Sequence, residues 1–328
     1  MTKVRLRVVL GLVVALGASS LAGGPGASPA EAGTDPRATS VSSDGSRKVA
    51  PPVSGGWSGN PGSGGRPSAG ETNLSSLLSP EAKAATPLEG TGRESIIGLD
   101  NRTPVSPTTN FPARAIVLIV FDVPGLGSAS CSGFMINPRT VATAGHCLAP
   151  GGTGGFFDKT TYTIYPGANG ASAPYGGCTA ASLFSVSGWI DFEDEKYDYG
   201  AINLNCTIGN TVGWLGIFYQ SASPDLNGLP VSVAGYPGDK PDTQWKSMGT
   251  IQAYGPLMIY YDDDTLGGMS GGPVYRYRPI GSPYCAAHCA RAIHTQGLHC
   301  CTAPHTTLNH GVRITVQVLQ NLVAWINS

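Results

Sequence analysis

The chain has 328 residues, a formal net charge of −1 and only 12% charged residues. Because its charge is almost balanced, the composition offers no electrostatic basis for binding nucleic acid or an anionic membrane, and we expect neither partner. Gly is abundant, with 46 residues, and short apolar runs are repeatedly broken by Gly, Pro, Asn and Ser, a pattern that favours an all-β fold.

A signal peptide is predicted at the amino terminus. Three basic residues among the first seven precede an apolar run over 8–16, which is too short to span a bilayer. Small residues allow cleavage after Ala22 or after Ala32, and the sequence leaves both sites open. No later apolar run is long enough to span a membrane, so we expect residues 1–32 to direct secretion of a soluble, extracellular product.

Residues 33–94 differ in composition from the rest of the chain, being rich in Gly, Ser, Pro and Ala with few large apolar side chains. Such a segment cannot bury enough surface to offset its chain entropy. We predict a mostly unstructured pro-segment that ends at Glu94, followed by a mature domain that begins at Ser95 and extends to Ser328.

Strand-like runs follow one another at short intervals in the mature region, without long helical periodicity. After Thr315, apolar residues recur at helical spacing and predict an amphipathic helix over about 315–327. A strand-rich chain of this size that closes with one helix fits two antiparallel β-barrels, over about 111–206 and 215–312, with a docked C-terminal α-helix.

A histidine and an aspartate at predicted strand ends are the candidate base and acid. His146 follows a short strand and adjoins Cys147, so it is expected to be held rigidly, as a general base must be. A packed structural histidine is the alternative, since the chain has 6 His. Asp198 directly precedes a buried-looking strand and can orient a histidine from a dry position, whereas the acids over 191–195 are typical of solvated surface.

A serine between paired glycines is the candidate nucleophile. Ser270 lies in the stretch 267–274, where glycines allow backbone N–H groups to converge on one small space. A hydroxyl beside such donors suits attack on a carbonyl, although a Gly-rich turn is the simpler alternative. No Asp or Glu follows Ser270, so the order Ser, acid, His is impossible, whereas the order His, Asp, Ser is available for a triad.

Three blocks, 143–147, 198–202 and 267–274, resemble the catalytic blocks of chymotrypsin-fold serine proteases. More narrowly, residues 95–328 are similar to the secreted bacterial glutamyl endopeptidases, the V8-like family. The stretches that carry this narrower resemblance are Ser95-Ile96-Ile97-Gly98, Arg114-Ala115-Ile116-Val117, Tyr197-Asp198-Tyr199-Gly200-Ala201-Ile202, Gly235-Tyr236-Pro237-Gly238-Asp239-Lys240, Asp264-Thr265 and Ala292-Ile293-His294-Thr295-Gln296-Gly297.

The resemblance implies a serine endopeptidase that works through an acyl-enzyme. It implies His146 as the base, Asp198 as the residue that orients it, and Ser270 as the nucleophile. It also implies an oxyanion hole formed by the N–H groups of Gly268 and Ser270. We expect a monomer that acts on polypeptide substrates and needs no cofactor.

The residue before the nucleophile departs from the trypsin pattern. Trypsin-like zymogens have an Asp there, which pairs with the freed amino terminus, whereas this chain has Met269. That activation switch is therefore absent. Maturation is expected either to remove the pro-segment from the site or to give the new terminus another role.

Two residues compete to set the cleavage specificity. Asp264, six residues before the nucleophile, occupies the position that gives trypsin-like enzymes their preference for Arg or Lys. His294 matches the glutamate-binding histidine of the resembled family, and Thr265 could donate a hydroxyl beside it. A histidine with hydroxyl partners can hydrogen-bond a carboxylate.

The use of acidic residues favours specificity for Glu. Residues 95–328 contain only two Glu, Glu193 and Glu195, but twelve Asp, whereas residues 1–94 contain five Glu. An enzyme that cuts after Glu would resist self-digestion by losing Glu and could release its own pro-segment after Glu94. A protease that prefers Arg or Lys through Asp264 stays open as an alternative, as does a protease-fold binding module without activity.

All 8 Cys lie in the mature region of a chain predicted to be secreted, so disulfides are expected. Cys300 and Cys301 are adjacent, and their pairing stays open. A zinc site at His299, Cys300, Cys301 and His305 lacks the ligand spacing of a structural site, so we expect no metal. The expected pairs, the first of them implied by the family resemblance, are Cys131 with Cys147, Cys178 with Cys206, and Cys285 with Cys289.

Overall fold

Two antiparallel barrels of short strands carry the candidate site residues. The structure, a computed structural model, describes residues 35–65, 72–73, 95–219, 226–299 and 302–328. The predicted signal peptide and the residues Glu94, Cys300 and Cys301 lie outside the described residues. The strands, numbered in chain order, are β1 Ser40–Ser42, β2 Arg47–Lys48, β3 Gly56–Trp57, β4 Thr72–Asn73, β5 Thr103–Pro104, β6 Ile116–Val123, β7 Gly127–Met135, β8 Thr140–Thr143, β9 Thr163–Pro166, β10 Ser172–Ala173, β11 Cys178–Val186, β12 Gly200–Leu204, β13 Gly216–Phe218, β14 Pro230–Gly235, β15 Trp245–Tyr254, β16 Met258–Tyr261, β17 Pro273–Arg278, β18 Ala287–Gln296 and β19 Asn309–Arg313.

The first barrel consists of β6, β7, β8, β9, β11 and β12, and it closes because β11 pairs with β12. Both faces of β6 are buried. Val117 and Ile119 belong to the main apolar core, whereas Ile116 and Leu118 belong to a second cluster that includes Tyr236 of the other barrel. Since alternate residues of a strand face opposite sides, this double burial explains why β6 is apolar without interruption from Ile116 to Phe121.

The second barrel consists of β14 to β19 and closes through the pairing of β17 with β18. β13 pairs in parallel with β18, and β3 pairs with β13, so these two strands extend the sheet beyond the closed barrel. The barrel strands span 116–204 and 230–313, against expected limits of about 111–206 and 215–312. The predicted fold class, two antiparallel β-barrels, is confirmed.

The predicted C-terminal helix is present over Val316–Ile326. Thr315 caps its amino terminus, since the Thr315 side chain accepts a hydrogen bond from the Val318 N–H at 3.3 Å. The apolar face docks on the first barrel, where Asn203 of β12 donates to the Trp325 carbonyl at 3.0 Å. In the described part of the chain, no helix has the length and apolar character needed to cross a membrane.

Residues 35–65 are ordered, so the expectation of a mostly unstructured segment is wrong for this stretch. β1 pairs with β11 at the edge of the first barrel, and Ser40 Oγ accepts a hydrogen bond from Trp325 Nε1 at 2.7 Å. Farther along, Asn60 forms a bridge with Trp214. The expectation of disorder considered only the apolar surface that the segment itself can bury. This stretch instead forms backbone hydrogen bonds with strands of the barrels.

Disulfides connect neighbouring parts of both barrels, and no described cysteine is free. One of them ties β7 to the loop that follows β8. The bonds join Cys131 to Cys147, Cys178 to Cys206, and Cys285 to Cys289.

Candidate active site

The candidate acid and base are joined by two hydrogen bonds. His146 Nδ1 lies 2.7 Å from Asp198 Oδ2, and Asp198 Oδ1 accepts the His146 backbone N–H at 2.8 Å. Asp198 comes directly before Tyr199 and β12 and is fully buried. A dry carboxylate that holds both the ring and the backbone of a histidine fixes the orientation of the imidazole and leaves Nε2 facing away from the acid.

The loop that carries His146 is packed tightly against its surroundings. At Gly145, a Cβ atom would lie 2.9 Å from the Trp189 ring and 3.0 Å from Asp198 Oδ1, so this position has no room for a side chain. Trp189 is anchored in turn, because its Nε1 donates to the Ala149 carbonyl at 3.0 Å. The His146 side chain keeps 12% of its surface exposed, which leaves it accessible to a substrate.

The turn that carries Ser270 touches both barrels. Gly271 has a φ of +84°, and a Cβ atom there would lie 2.1 Å from Thr143 Oγ1, so only glycine allows this turn to approach the residues just before His146. The Ser270 carbonyl accepts the Ser132 N–H of β7 at 2.8 Å. On the other side, the Gly271 N–H donates to the His294 carbonyl of β18 at 2.7 Å. Ser270 therefore lies where β7 of the first barrel meets β18 of the second, and its turn closely approaches Thr143, three residues before the candidate base.

The peptide groups before Ser270 are fixed by hydrogen bonds. The Gly268 carbonyl accepts from Ser132 Oγ at 2.8 Å, and the Gly267 carbonyl accepts the Gly238 N–H at 2.7 Å. Gly268 has a φ of +99°, and a Cβ atom there would lie 2.5 Å from the Tyr236 carbonyl oxygen. Rigid backbone at this position is what an oxyanion hole needs, since its N–H donors must not reorganise during the reaction.

The candidate specificity residue His294 is fully buried in β18. Its Nδ1 lies 2.6 Å from the Tyr261 hydroxyl of β16. Burial lowers the pKa of His294 to about 3, so the ring is neutral at neutral pH in the free protein. A neutral imidazole with a fixed hydroxyl partner is a directional hydrogen-bonding group.

Thr265 and Ser95 lie together at the end of the strand that carries Tyr261. The Ser95 carbonyl accepts the Thr265 N–H at 3.2 Å and Asn309 Nδ2 at 2.7 Å, while Asn309 Oδ1 accepts the Ser95 N–H at 3.0 Å. Thr265 is fully buried, and its hydroxyl has no hydrogen-bond partner among the described residues. The predicted start of the mature domain is therefore held beside a buried hydroxyl.

Asp264 faces the segment that follows Ser95. Its Oδ1 accepts the Ile97 N–H at 2.6 Å and its Oδ2 accepts the Asn101 N–H at 2.7 Å. The Asp264 N–H donates to Ser247 Oγ at 2.8 Å, and the residue is fully buried. Both carboxylate oxygens thus bind backbone of the same chain, which weakens the alternative in which Asp264 selects Arg or Lys.

Sequence reasoning missed two residues of this pocket, Tyr261 and Asn309. Tyr261 ends an apolar run that is typical of a core strand, and Asn309 lies in a polar connection. The signal that links them is the strand register, because β16 pairs with β19 so that Tyr261 lies opposite Asn309. A single sequence does not contain that pairing.

Comparison with known proteins identifies relatives of most of the chain. The model of the trypsin-like peptidase domain family matches residues 131–278. The glutamyl endopeptidase of Bacillus licheniformis is 43% identical over 236 residues, which cover 72% of this chain and 70% of that protein. The extracellular metalloprotease of Bacillus subtilis is 42% identical over 236 residues, which cover 71% of this chain and 70% of that protein. A solved structure of a Glu endopeptidase is 28% identical, with a TM-score of 0.59, and the match covers 70% of this chain and 98% of that one.

Proposed function

The chain belongs to the glutamyl endopeptidase family, and on that premise we propose that it is a secreted serine endopeptidase that cleaves polypeptides after Glu. The observation that carries the specificity is the buried, hydrogen-bonded pair of His294 and Tyr261. The separate engagement of Asp264 by backbone amides supports the same choice over Arg or Lys.

The catalytic part of the proposal uses the blocks around His146, Asp198 and Ser270. Asp198 orients His146 by accepting its Nδ1–H. His146 Nε2 takes the proton of the Ser270 hydroxyl as Oγ attacks the substrate carbonyl, and the imidazolium then protonates the leaving amine. The N–H groups of Gly268 and Ser270 stabilise the oxyanion, and water hydrolyses the acyl-enzyme by the reverse sequence.

The specificity part of the proposal follows from the tautomer of His294. When the Tyr261 hydroxyl donates to Nδ1, the proton of the neutral ring is on Nε2, which can then donate to a substrate carboxylate. The Thr265 hydroxyl supplies a second donor. A bound carboxylate also favours the protonated imidazole, so binding raises a pKa that burial has lowered.

For its maturation, we propose a signal peptide at 1–32, a pro-segment at 33–94 and a mature domain that begins at Ser95. The enzyme releases this mature domain itself by cutting after Glu94. The hydrogen bonds of Ser95 to Asn309 and Thr265 support a terminus held at the pocket. The disulfides support an oxidising compartment, and the Bacillus subtilis relative is named extracellular. We propose a monomer whose catalytic reaction uses no cofactor.

A digest tests the proposed function directly. The mature enzyme is incubated with a denatured protein, and the cut sites are mapped by mass spectrometry. We expect cuts after Glu, and the Ser270→Ala variant, made in parallel, should give none, since single losses from such a triad cost about 10⁴–10⁶ in rate. Cuts concentrated after Arg and Lys would overturn the specificity, and turnover by folded Ser270→Ala would overturn the mechanism.

A further inference from the structure

A second group of reactive side chains lies outside the catalytic residues. Glu195, His299, His305 and His310 each offer one ligand atom, and these atoms lie within 4.8 Å of one another. His299 Nε2 lies 3.3 Å from Glu195 Oε2, and His305 Nδ1 lies 4.0 Å from Glu195 Oε1. The centroids of the imidazole rings are 4.8 to 5.1 Å apart.

In two of these rings, the nitrogen that does not face the other ligand atoms lies close to a hydrogen-bonding group outside the cluster. His299 Nδ1 lies 3.3 Å from the Gly297 carbonyl, to which it can only donate, and Nε2 faces Glu195 at 3.3 Å, so Nε2 is the ring nitrogen that a metal ion would bind. His305 Nε2 lies 3.2 Å from the Tyr260 hydroxyl, so Nδ1 faces the centre. Ring nitrogens anchored to a carbonyl or hydroxyl on the far side are typical of histidines that ligate a metal.

His310 has incompletely satisfied ring nitrogens. Its side chain is fully buried in β19, where the ring interacts with the Leu308 backbone, but neither ring nitrogen makes a hydrogen bond of good geometry to a described residue. A buried polar atom without a partner costs free energy, which a ligand at this point would recover. His310 therefore places a buried ring nitrogen close to the possible ligand atoms of three other side chains.

We propose that Glu195, His299, His305 and His310 bind a divalent transition-metal ion, with Zn²⁺ as the best match. Three imidazole nitrogens and one carboxylate oxygen are ligands that Zn²⁺ takes in four-coordinate sites. Bonds of about 2.0–2.1 Å in a tetrahedron need ligand atoms about 3.3 Å apart. The Glu195–His299 contact already has that spacing, and the other ligand atoms need to move inward by about an ångström or more.

The position of this site implies a bracing role rather than a catalytic one. Glu195 opens the short 3-10 turn Glu195–Tyr197, which leads directly to Asp198 in the first barrel. His310 belongs to the second barrel, between Asn309 and a glycine that pairs with His294. An ion held by both would connect the loop of the catalytic acid to the strand beside the specificity pocket.

The expectation of no metal rested on spacing within one segment, around His299 and His305. The two further ligands come from elsewhere in the chain, Glu195 about a hundred residues earlier and His310 from the next strand. The adjacent residues Cys300 and Cys301 lie outside the described residues and are not part of the proposed site.

The test measures metal content and metal-dependent stability of the mature enzyme. The protein is stripped with a chelator, incubated with ZnCl₂, dialysed, and analysed by mass spectrometry of the metal. We expect one equivalent of Zn²⁺ per chain. Zn²⁺ at about 100 times its Kd should raise the Tm by roughly 5–11 °C in a domain of this size. Co²⁺ in the same site should show the strong visible absorption of a tetrahedral complex.

Four variants decide the assignment. His310→Ala and the less buried Glu195→Gln should each lose the bound Zn²⁺ and the Tm increase, with hydrolysis of peptides retained. The matched control His288→Ala, a histidine outside the group, should keep both. The double variant Cys300→Ser with Cys301→Ser should also keep both. The proposal is overturned if the wild-type chain retains no Zn²⁺, if the ligand variants bind it unchanged, or if the double cysteine variant alone loses it.

Discussion

Replacing Asp264 by Asn distinguishes cleavage after Glu from cleavage after Arg or Lys. In the structure this carboxylate accepts two hydrogen bonds, and an amide side chain cannot accept both. In the folded protein its two oxygens accept the N–H groups of Ile97 at 2.6 Å and of Asn101 at 2.7 Å. An Asn side chain offers one acceptor and one NH₂ donor. One of the two backbone N–H groups would therefore face another donor in a fully buried place.

The size of the effect follows from the number of hydrogen bonds affected. A hydrogen bond to a charged group contributes about 1.5–3 kcal/mol, and a buried donor left unpaired costs about 1–3 kcal/mol more. Asp264→Asn should therefore lower the free energy of unfolding by about 2.5–6 kcal/mol. At about 2–4 °C per kcal/mol for a domain of this size, the Tm should fall by roughly 5–24 °C.

Thermal unfolding is measured in the inactive Ser270→Ala background, so that self-digestion does not distort the transition, and kcat/KM is measured for the active Asp264→Asn enzyme. The control is Asp122→Asn, an exposed acid on β6, which should change stability by about 0.5 kcal/mol at most. We expect a lower Tm at Asp264 with the preference for Glu over Arg unchanged. An unchanged Tm together with a loss of cleavage after Arg would refute the reasoning and restore the trypsin-like alternative.

The remaining predictions concern the pocket, one buried acid and one disulfide. His294→Ala should lower kcat/KM for a Glu ester by about 30- to 5,000-fold and Tyr261→Phe by less, while esters of small neutral residues change little, and an equal loss on both ester types would contradict the assignment. Burial raises the pKa of Asp263 to about 7, so the free energy of unfolding of the wild type should fall from about pH 4 to pH 7 as only the unfolded state ionises. In urea unfolding, the free energy of unfolding of Asp263→Asn should increase relative to that of the wild type between pH 4 and pH 7, by up to about 4 kcal/mol above pH 7. A difference between the two proteins that does not change with pH would exclude the ionisation of Asp263 as the cause. Removing the Cys131–Cys147 bond, which closes a loop of 16 residues, by Ser at both positions should cost about 3 kcal/mol in thermal unfolding, and an unchanged Tm would rule out a stabilising role for that bond.

Features that depend on neighbouring residues could be predicted from the sequence alone. The glycines around Ser270 predict a turn with unusual backbone angles, and two of them have positive φ in the structure. The apolar spacing after Thr315 predicts the final helix, because helical periodicity and its cap lie within one short stretch. The order of His146, Asp198 and Ser270 likewise needs only positions along the chain.

Contacts between residues that are distant in sequence could be identified only in the folded protein. Asp264 could line a pocket or bind backbone, and the structure shows it bound to the backbone of residues more than 160 positions earlier. Tyr261 becomes the partner of His294 because β19 pairs with both β16 and β18. Residues 35–65 become ordered because β1 pairs with β11 of the first barrel. The meeting of Glu195 with His310 arises in the same way. Each of these contacts joins segments that are far apart in the chain, and nothing in the sequence of either segment indicates that the two lie close together in the fold.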